Sequence, residues 1–392
     1  MLSPVNRPLL LPGLPRVWRD DTELQLGADP ARAVLLRLPD PRAAEILDLL
    51  DGTRPERQVL LRAAELGIPL DQAQAVLEIL RAAGLTLPAT ALVPRTSTGG
   101  VHQRLLGEAT ALAFRDRRTR RAPAGEAAAT PAPAPERRAP PATTLRRRQV
   151  ASVLITGRGR LGAPIAVALA EAGVGHVQPN ISGAVHQDEL AAGPFRSGAV
   201  GAPRSEATTE ALSEIMPGVD TRRLRTARPS LVVQLDHDEP TILVAAAHAA
   251  RGQPHLAVTI REGAAVIGPL VPRTGGPCLA CLDLHRRDRD ATWPGAPRPP
   301  VPEPCAVTTL LAATAYATAE ALAYLDGDTP ETLGATIEIT GPGHFRRRTW
   351  PPHPRCGCTR PRRRPVPTQR PSERKPVRPS KGGATLRTPT ST

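Results

Sequence analysis

The sequence predicts an α/β protein: a mostly parallel sheet covered by helices, tied down at its C-terminal end and preceded by a small domain of strands and helices. Three observations predict it. The first is Val153-Leu154-Ile155-Thr156-Gly157-Arg158-Gly159-Arg160-Leu161-Gly162, an apolar run that enters a glycine-rich turn and leaves as an alanine-rich helical pattern over 163–172. The second is a pair of cysteine motifs, Cys278-Leu-Ala-Cys281 and Cys356-Gly-Cys358. The third is the order of residues 1–92, short strand patterns and then three short helical ones.

The first domain, 1–92, opens on strand patterns at Val17–Arg19, Thr22–Leu26 and Ala33–Leu36. Ala43, Ile46, Leu47 and Leu50 then recur at helical spacing, with Asp40-Pro41 as a start signal and Gly52 as a stop. Further helical patterns cover Val59–Leu66, stopped by Gly67, and Gln72–Ala83, stopped by Gly84. Strands followed by three helices suggest a winged-helix-like domain, with a plain helical docking domain as the alternative. A DNA reader needs a basic recognition helix, and here Arg81 stands against Asp71 and Glu78.

Residues 93–148 read as a flexible linker, with a helical pattern around Gln103–Arg115 and a proline-alternating run from Thr130 to Pro135. Arg146–Arg148 read as a solvated boundary before the first core strand.

The core, 149–358, begins with the glycine turn. Gly157 permits the turn, Gly159 lets backbone approach a phosphate, and Gly162 lets helix and strand pack closely. The helix N-terminus that follows offers unpaired N–H groups to an anion. Such a Rossmann-like unit is what nucleotide binding needs, and a glycine turn alone leaves open whether a nucleotide is held. A nicotinamide-dependent enzyme would place an acid at the end of the next strand to hold the ribose. Gln178-Pro179-Asn180-Ile181-Ser182 has none, which argues against an oxidoreductase. Strands at Arg228–Leu235, His255–Ile260 and Ala264–Val271 alternate with helices at Thr241–Arg251 and Val307–Leu325, the pattern of a mostly parallel sheet.

Four thiolates, Cys278, Cys281, Cys356 and Cys358, suit a closed tetrahedral zinc site that is structural because no coordination position stays open. Cys356 follows Cys281 by 75 positions, too far for a zinc ribbon, so the site would clamp the C-terminal end to the core. A redox role is disfavoured because the CxxC does not read as opening a helix in a thioredoxin-like unit. Cys305 reads as a small buried side chain rather than a nucleophile, and His353 as simply exposed, with support of the cysteine site as the alternative.

Composition narrows the function classes. The formal charge is +14, but all but two of the 51 basic residues are arginines, and the tail 359–392 sets ten basic residues against the acid Glu373. The excess thus sits largely in a basic tail that reads as disordered, and nucleic acid is not the expected partner. No apolar run is long enough for a membrane span, and the five cysteines fit a metal site in a reducing compartment, so a cytoplasmic protein is expected.

In this order, the glycine turn, the Pro-Cys-x-x-Cys and the closing cysteine pair resemble the ThiF-type family, the adenylyltransferases related to ubiquitin-activating enzymes. Gly268-Pro269-Leu270-Val271, Cys278-Leu-Ala-Cys281-Leu-Asp-Leu-His285-Arg286 and His353-Pro-Arg-Cys356-Gly-Cys358 are similar to an actinobacterial branch found beside peptide-modifying enzymes. The first domain resembles the leader-peptide recognition domain of thiazole/oxazole-modified peptide pathways, which adds a peptide as a strand to its wing. In active members, ATP and Mg²⁺ convert a C-terminal carboxylate to an acyl adenylate. The resemblance places nucleotide contacts at Gly157, Gly159 and Gly162, the phosphate-binding cation at Arg204, where the family has lysine, and the metal-holding acid at Asp236 or Asp238. It also shows losses: the acid expected within Asn180–Ser182 is absent, and Asp188-Glu189-Leu190-Ala191-Ala192 replaces a motif containing arginine and glutamine. The resemblance therefore implies a protein that binds a precursor leader and presents it to a cyclodehydratase-type enzyme, with weak or no adenylation. The alternative is a working ATP-dependent adenylyltransferase. A homodimer is a further implied possibility.

Overall fold

The structure, a computed structural model, describes residues 7–30, 32–94, 99–120, 139–225, 227–293 and 303–359. The N-terminal part contains β1 (Pro8–Leu10), β2 (Arg16–Trp18), β3 (Glu23–Leu26) and β4 (Val34–Arg37). A 3-10 turn, Pro41–Glu45, leads into α1 (Ile46–Leu49), followed by α2 (Glu56–Glu65), α3 (Leu70–Ala82), β5 (Thr86–Pro88) and α4 (Ala89–Leu92). Strands β2, β3 and β4 form an antiparallel sheet in that order, and β1 pairs with β5. Alternation decides which face is buried: Val34 and Leu36 of β4 turn inward, and Leu35 and Arg37 turn outward. Helix α3 supplies the opposing stripe, Ala73, Val76, Leu77 and Leu80. The pattern at Ala43–Leu50 predicts one helix. It is split instead, because the Asp40 carboxylate accepts from the Arg42 N–H and starts a tighter turn.

Two parts of the expected linker are helices. Helix α5 spans Gly99–Arg120 and α6 spans Pro141–Val150. Leu105, Ala109 and Leu112 of α5 make an apolar stripe that packs with Leu145 of α6 and with Leu11, Leu92 and Val93. The proline-alternating run lies outside the described residues. Nor is the arginine run before the core uniformly solvated. Arg146 and Arg147 are exposed, but Arg148 is 1 % exposed. Its guanidinium donates to both Asp326 carboxylate oxygens at 2.8 Å, to Glu108 at 2.6 Å and to the Ala172 carbonyl at 2.9 Å. A buried arginine is tolerated because its donors are matched in this way.

The core contains β6 (Ser152–Arg158), α7 (Gly162–Glu171), β7 (His176–Ser182), α8 (Arg204–Ile215), β8 (Leu231–Gln234), α9 (Thr241–Arg251) and β9 (His255–Arg261). Next come β10 (Ala264–Val271), α10 (Leu279–Arg289), α11 (Val307–Asp326), β11 (Ala335–Gly341) and β12 (His344–Thr349). One seven-stranded sheet runs β12-β11-β10-β9-β8-β6-β7. The half β7-β6-β8-β9 is parallel, and β10, β11 and β12 continue it antiparallel. On one face, Val153, Ile155, Val233, Leu256 and Ile267 meet Ile165 and Leu169 of α7 and the alanine stripe Ala313, Ala317 and Ala321 of α11. Those small side chains let α11 lie close to α7 and to β10 and β11. Strand β6 is flanked by β7 on one side and β8 on the other. The chain therefore changes direction across the sheet there, and a crevice opens at the strand ends.

Candidate functional site

The glycine turn sits at that switch point. Gly157 lies within β6 rather than in the turn. At φ +109° it lets β6 close onto the end of β8, where the Arg158 N–H donates to the Asp236 carbonyl at 2.8 Å. Gly162 starts α7, and a Cβ there would stand 2.7 Å from Ile181 and 2.8 Å from Leu235, so its role is close packing. Gly159, at φ +133°, faces the carboxylate of Glu303: a Cβ would lie 3.1 and 3.2 Å from its two oxygens. The Arg160 backbone N–H donates to Glu303 Oε2 at 2.9 Å, and the Arg160 guanidinium lies 3.4 Å from the Glu303 carbonyl. Burial pushes the Glu303 carboxyl up, against the lowering effect of the Arg160 N–H.

The arginines of the site are engaged with the chain's own acids. Arg204 opens α8, and Ser205 pins that helix end to β7 by accepting from the Ile181 N–H at 2.8 Å. The Arg204 guanidinium donates from Nε and Nη2 to Glu189, at 2.7 Å for the shortest contact, and from Nη1 to the Ser182 carbonyl at 3.0 Å. Glu189 is 4 % exposed and also caps a 3-10 turn by accepting from the His186 N–H at 3.0 Å. Arg160 pairs with Asp188 at 2.8 Å, and Arg158 pairs with Asp238. Asp236 accepts from the Thr259 hydroxyl at 2.7 Å. A cleft of about 1050 Å³ brings Gly157, Asn180, Ser182, Asp236 and Asp238 together, whereas Gly159, Gly162 and Arg204 stand outside its lining. Asn180 at this edge donates to Thr156 at 3.0 Å.

Sequence reasoning missed Glu303, Glu189 and the pairing of Arg160. Glu303 lies between Pro302 and Pro304, 143 positions from the backbone it meets, and no local pattern marks it. Glu189 was visible only as a departure from the family motif.

The four cysteines do converge. Cys278 caps α10 and Cys281 lies in its first turn, so the CxxC does open a helix, although in no thioredoxin-like unit. Cys356 and Cys358 come from the turn into the 3-10 segment Gly357–Thr359. Sulfur separations are 3.9 Å for Cys278–Cys281, 3.7 Å for Cys278–Cys356 and 3.3 Å for Cys281–Cys358. A tetrahedron with metal–sulfur bonds of about 2.3 Å needs sulfurs about 3.8 Å apart, so this donor set could hold a metal ion. The Cys281 thiol is drawn down because it accepts from Cys278, with the His353 N–H helping. His353 is buried, not exposed: its N–H donates to the Cys281 sulfur at 3.4 Å, and its ring meets Asp288 at 2.7 Å. Cys305 is only half-buried.

Sheet order and glycine turn together define a Rossmann-like α/β core, with the cysteine cluster at its C-terminal end. The family model described as ThiF matches residues 141–359, more than half of the chain, and the protein belongs to the ThiF family. Among solved structures it is similar to E. coli MccB determined with ATP, at 13 % identity and TM-score 0.57, over 90 % of this chain and 99 % of that one. The Microcin C7 biosynthetic enzyme MccB in complex with N-formylated MccA gives 14 % identity and TM-score 0.57 over the same shares. PaaA gives 15 % identity and TM-score 0.56, over 86 % of this chain and 97 % of the other. At these identities the likeness is one of fold, and it extends across the N-terminal part as well as the core. No curated protein matches the sequence significantly.

Proposed function

We propose that this ThiF-family protein captures the leader of a precursor peptide and presents the peptide to a cyclodehydratase-type enzyme in ribosomal-peptide biosynthesis, with little or no adenylation of its own. Residues 1–92 are the recognition unit, 149–358 the presenting core, and the cysteine cluster a structural zinc clamp. The outer edge of β4 carries the proposal. Leu38 donates inward to the Thr22 carbonyl, so by antiparallel alternation the Leu35 and Arg37 N–H groups point to the free edge. Beside that edge runs a groove of about 1140 Å³ lined by Leu35, Ile79, Arg81 and Gly84, with Leu35 and Ile79 each 43 % exposed. An extended peptide finds backbone partners on β4 and apolar contacts in the groove. The solved complex of the similar MccB with N-formylated MccA supports a peptide-like partner.

A second reading, an ATP- and Mg²⁺-dependent adenylyltransferase acting on a peptide or carrier-protein carboxylate, draws on the retained glycine turn and the MccB structure with ATP. The residues present do not fit that group well. Arg204 and Arg158 are paired with acids, Asp238 is spent on Arg158, and a carboxylate lies against the turn. Labelled peptides spanning the N-terminal halves of short Cys/Ser/Thr-rich reading frames beside this gene should bind in fluorescence anisotropy. Leu35→Pro removes an edge N–H but no β3–β4 bond, and should weaken binding at least about tenfold, roughly 1.4 kcal/mol, with little change in thermal midpoint. Unchanged affinity would sink the β4 site. Robust ATP–pyrophosphate exchange by the wild-type protein with those peptides would favour the adenylyltransferase.

A further inference from the structure

We infer that Glu303 is a built-in occupant of the glycine turn, a carboxylate seated where a nucleotide phosphate would have to bind, which holds the site closed to polyphosphates. The inference deepens the presenting role proposed above and rests on it for biological meaning, but its geometry stands alone. A phosphate at a Rossmann turn needs two things: the space beside a glycine that lacks a side chain, and a backbone N–H pointing into that space. Here one residue takes both. The Glu303 oxygens fill the volume above Gly159, and Glu303 Oε2 accepts the Arg160 N–H at 2.9 Å.

Charge reinforces the block. An incoming polyphosphate would meet the Glu303 carboxyl head-on, with a second acid, Asp236, near enough to interact with it. The neighbouring cations give no free compensation, since Arg158, Arg160 and Arg204 are paired with Asp238, Asp188 and Glu189. The seat itself is supported by two further contacts. The Arg160 guanidinium reaches the Glu303 carbonyl, and Cys305, two residues on, bridges to Gly263 at the start of β10.

The test is isothermal titration of Mg·ATP into the full-length wild-type protein, Glu303→Gln and Glu303→Ala, with leader-peptide affinity measured on the same samples. Wild type should bind ATP weakly or not at all. E303Q keeps the shape and loses the charge, and should gain at least about tenfold in affinity; E303A, which also empties the seat, should gain about a hundredfold. Thermal melts check folding, and if E303A is unfolded, E303Q decides. Low-micromolar binding of ATP by the wild type, or no gain in folded E303Q, overturns the inference. Loss of leader binding in the wild type would instead overturn the presenting role and leave the ATP result untouched.

Discussion

Arg204 turns away from the cleft to lie against Glu189, and that one rotation decides much of the site's character. An arginine can replace a lysine at a phosphate only if its fork is free to face the anion. With Nε and Nη2 on Glu189 and Nη1 on the Ser182 carbonyl, this fork is committed. The sequence showed that lysine was missing and that acids stood in the Asp188–Ala192 stretch; it could not show that those acids are the arginines' partners. The same limit applies to Glu303. Motifs confined to a few residues, such as the glycine turn and the cysteine pairs, were legible because backbone geometry or ligand chemistry fixes their residue types. Contacts across more than a hundred positions depend on the assembled sheet. Two neighbouring histidines, one lining the cleft and one buried, give a further prediction at this scale. His248 and His255 stack at 4.2 Å, and burial, followed by repulsion from His255, pushes His248 down to about 3. Burial lowers His255 as well. Both are neutral in the folded protein, while the unfolded chain takes up protons below about 6.5. Stability should therefore fall as pH drops from about 6.5 to 5, by up to about 1.4 kcal/mol per pH unit for each histidine. Urea titrations across that range should show a shallower slope for His248→Gln, and an identical slope would contradict the assignment.

At the scale of elements, the sequence placed most strands and helices within a few residues, because apolar periodicity and glycine stops are local signals. Within 93–148 the helical pattern around Gln103–Arg115 lies inside α5, whereas α6 carries no such signal, because its arginine run reads as solvated until Asp326 and Glu108 are brought to Arg148. Helix α10 and the segment after β12 raise the question of what holds the chain's late turns in place. Cys356 and Cys358 pack the turn into the 3-10 segment at Gly357–Thr359 against α10 and Val271. Purified protein should contain about one zinc per chain by elemental analysis. Stripping the metal, or Cys356→Ser, should destabilise the core by more than about 3 kcal/mol, because metal binding contributes directly to folding. Equal thermal midpoints for stripped and loaded protein would remove the clamp from the account.

At the scale of the whole molecule, the N-terminal part and the sheet meet through Arg148. The residue lies on α6, one helix before β6, and ties the end of α11, the end of α7 and helix α5 to one side chain. Arg148→Ala would strand Asp326, whose side chain is 5 % exposed, without its counter-charge. A loss of about 3–5 kcal/mol in denaturant unfolding is expected, and a loss under about 1 kcal/mol would mean that the pair contributes little. The junction also bears on how such a protein can be taken apart or recombined. A recognition unit joined by a slack tether could be exchanged between relatives as a cassette, whatever core received it. One joined instead through α5 and α6, with the Arg148 guanidinium holding Glu108 of α5 together with acceptors on two core helices, carries its own compatibility test, because a foreign core lacking an acid at the end of its long helix would leave that buried arginine without its main counter-charge. Inheritance of the peptide-reading half should therefore follow that of the sheet it serves.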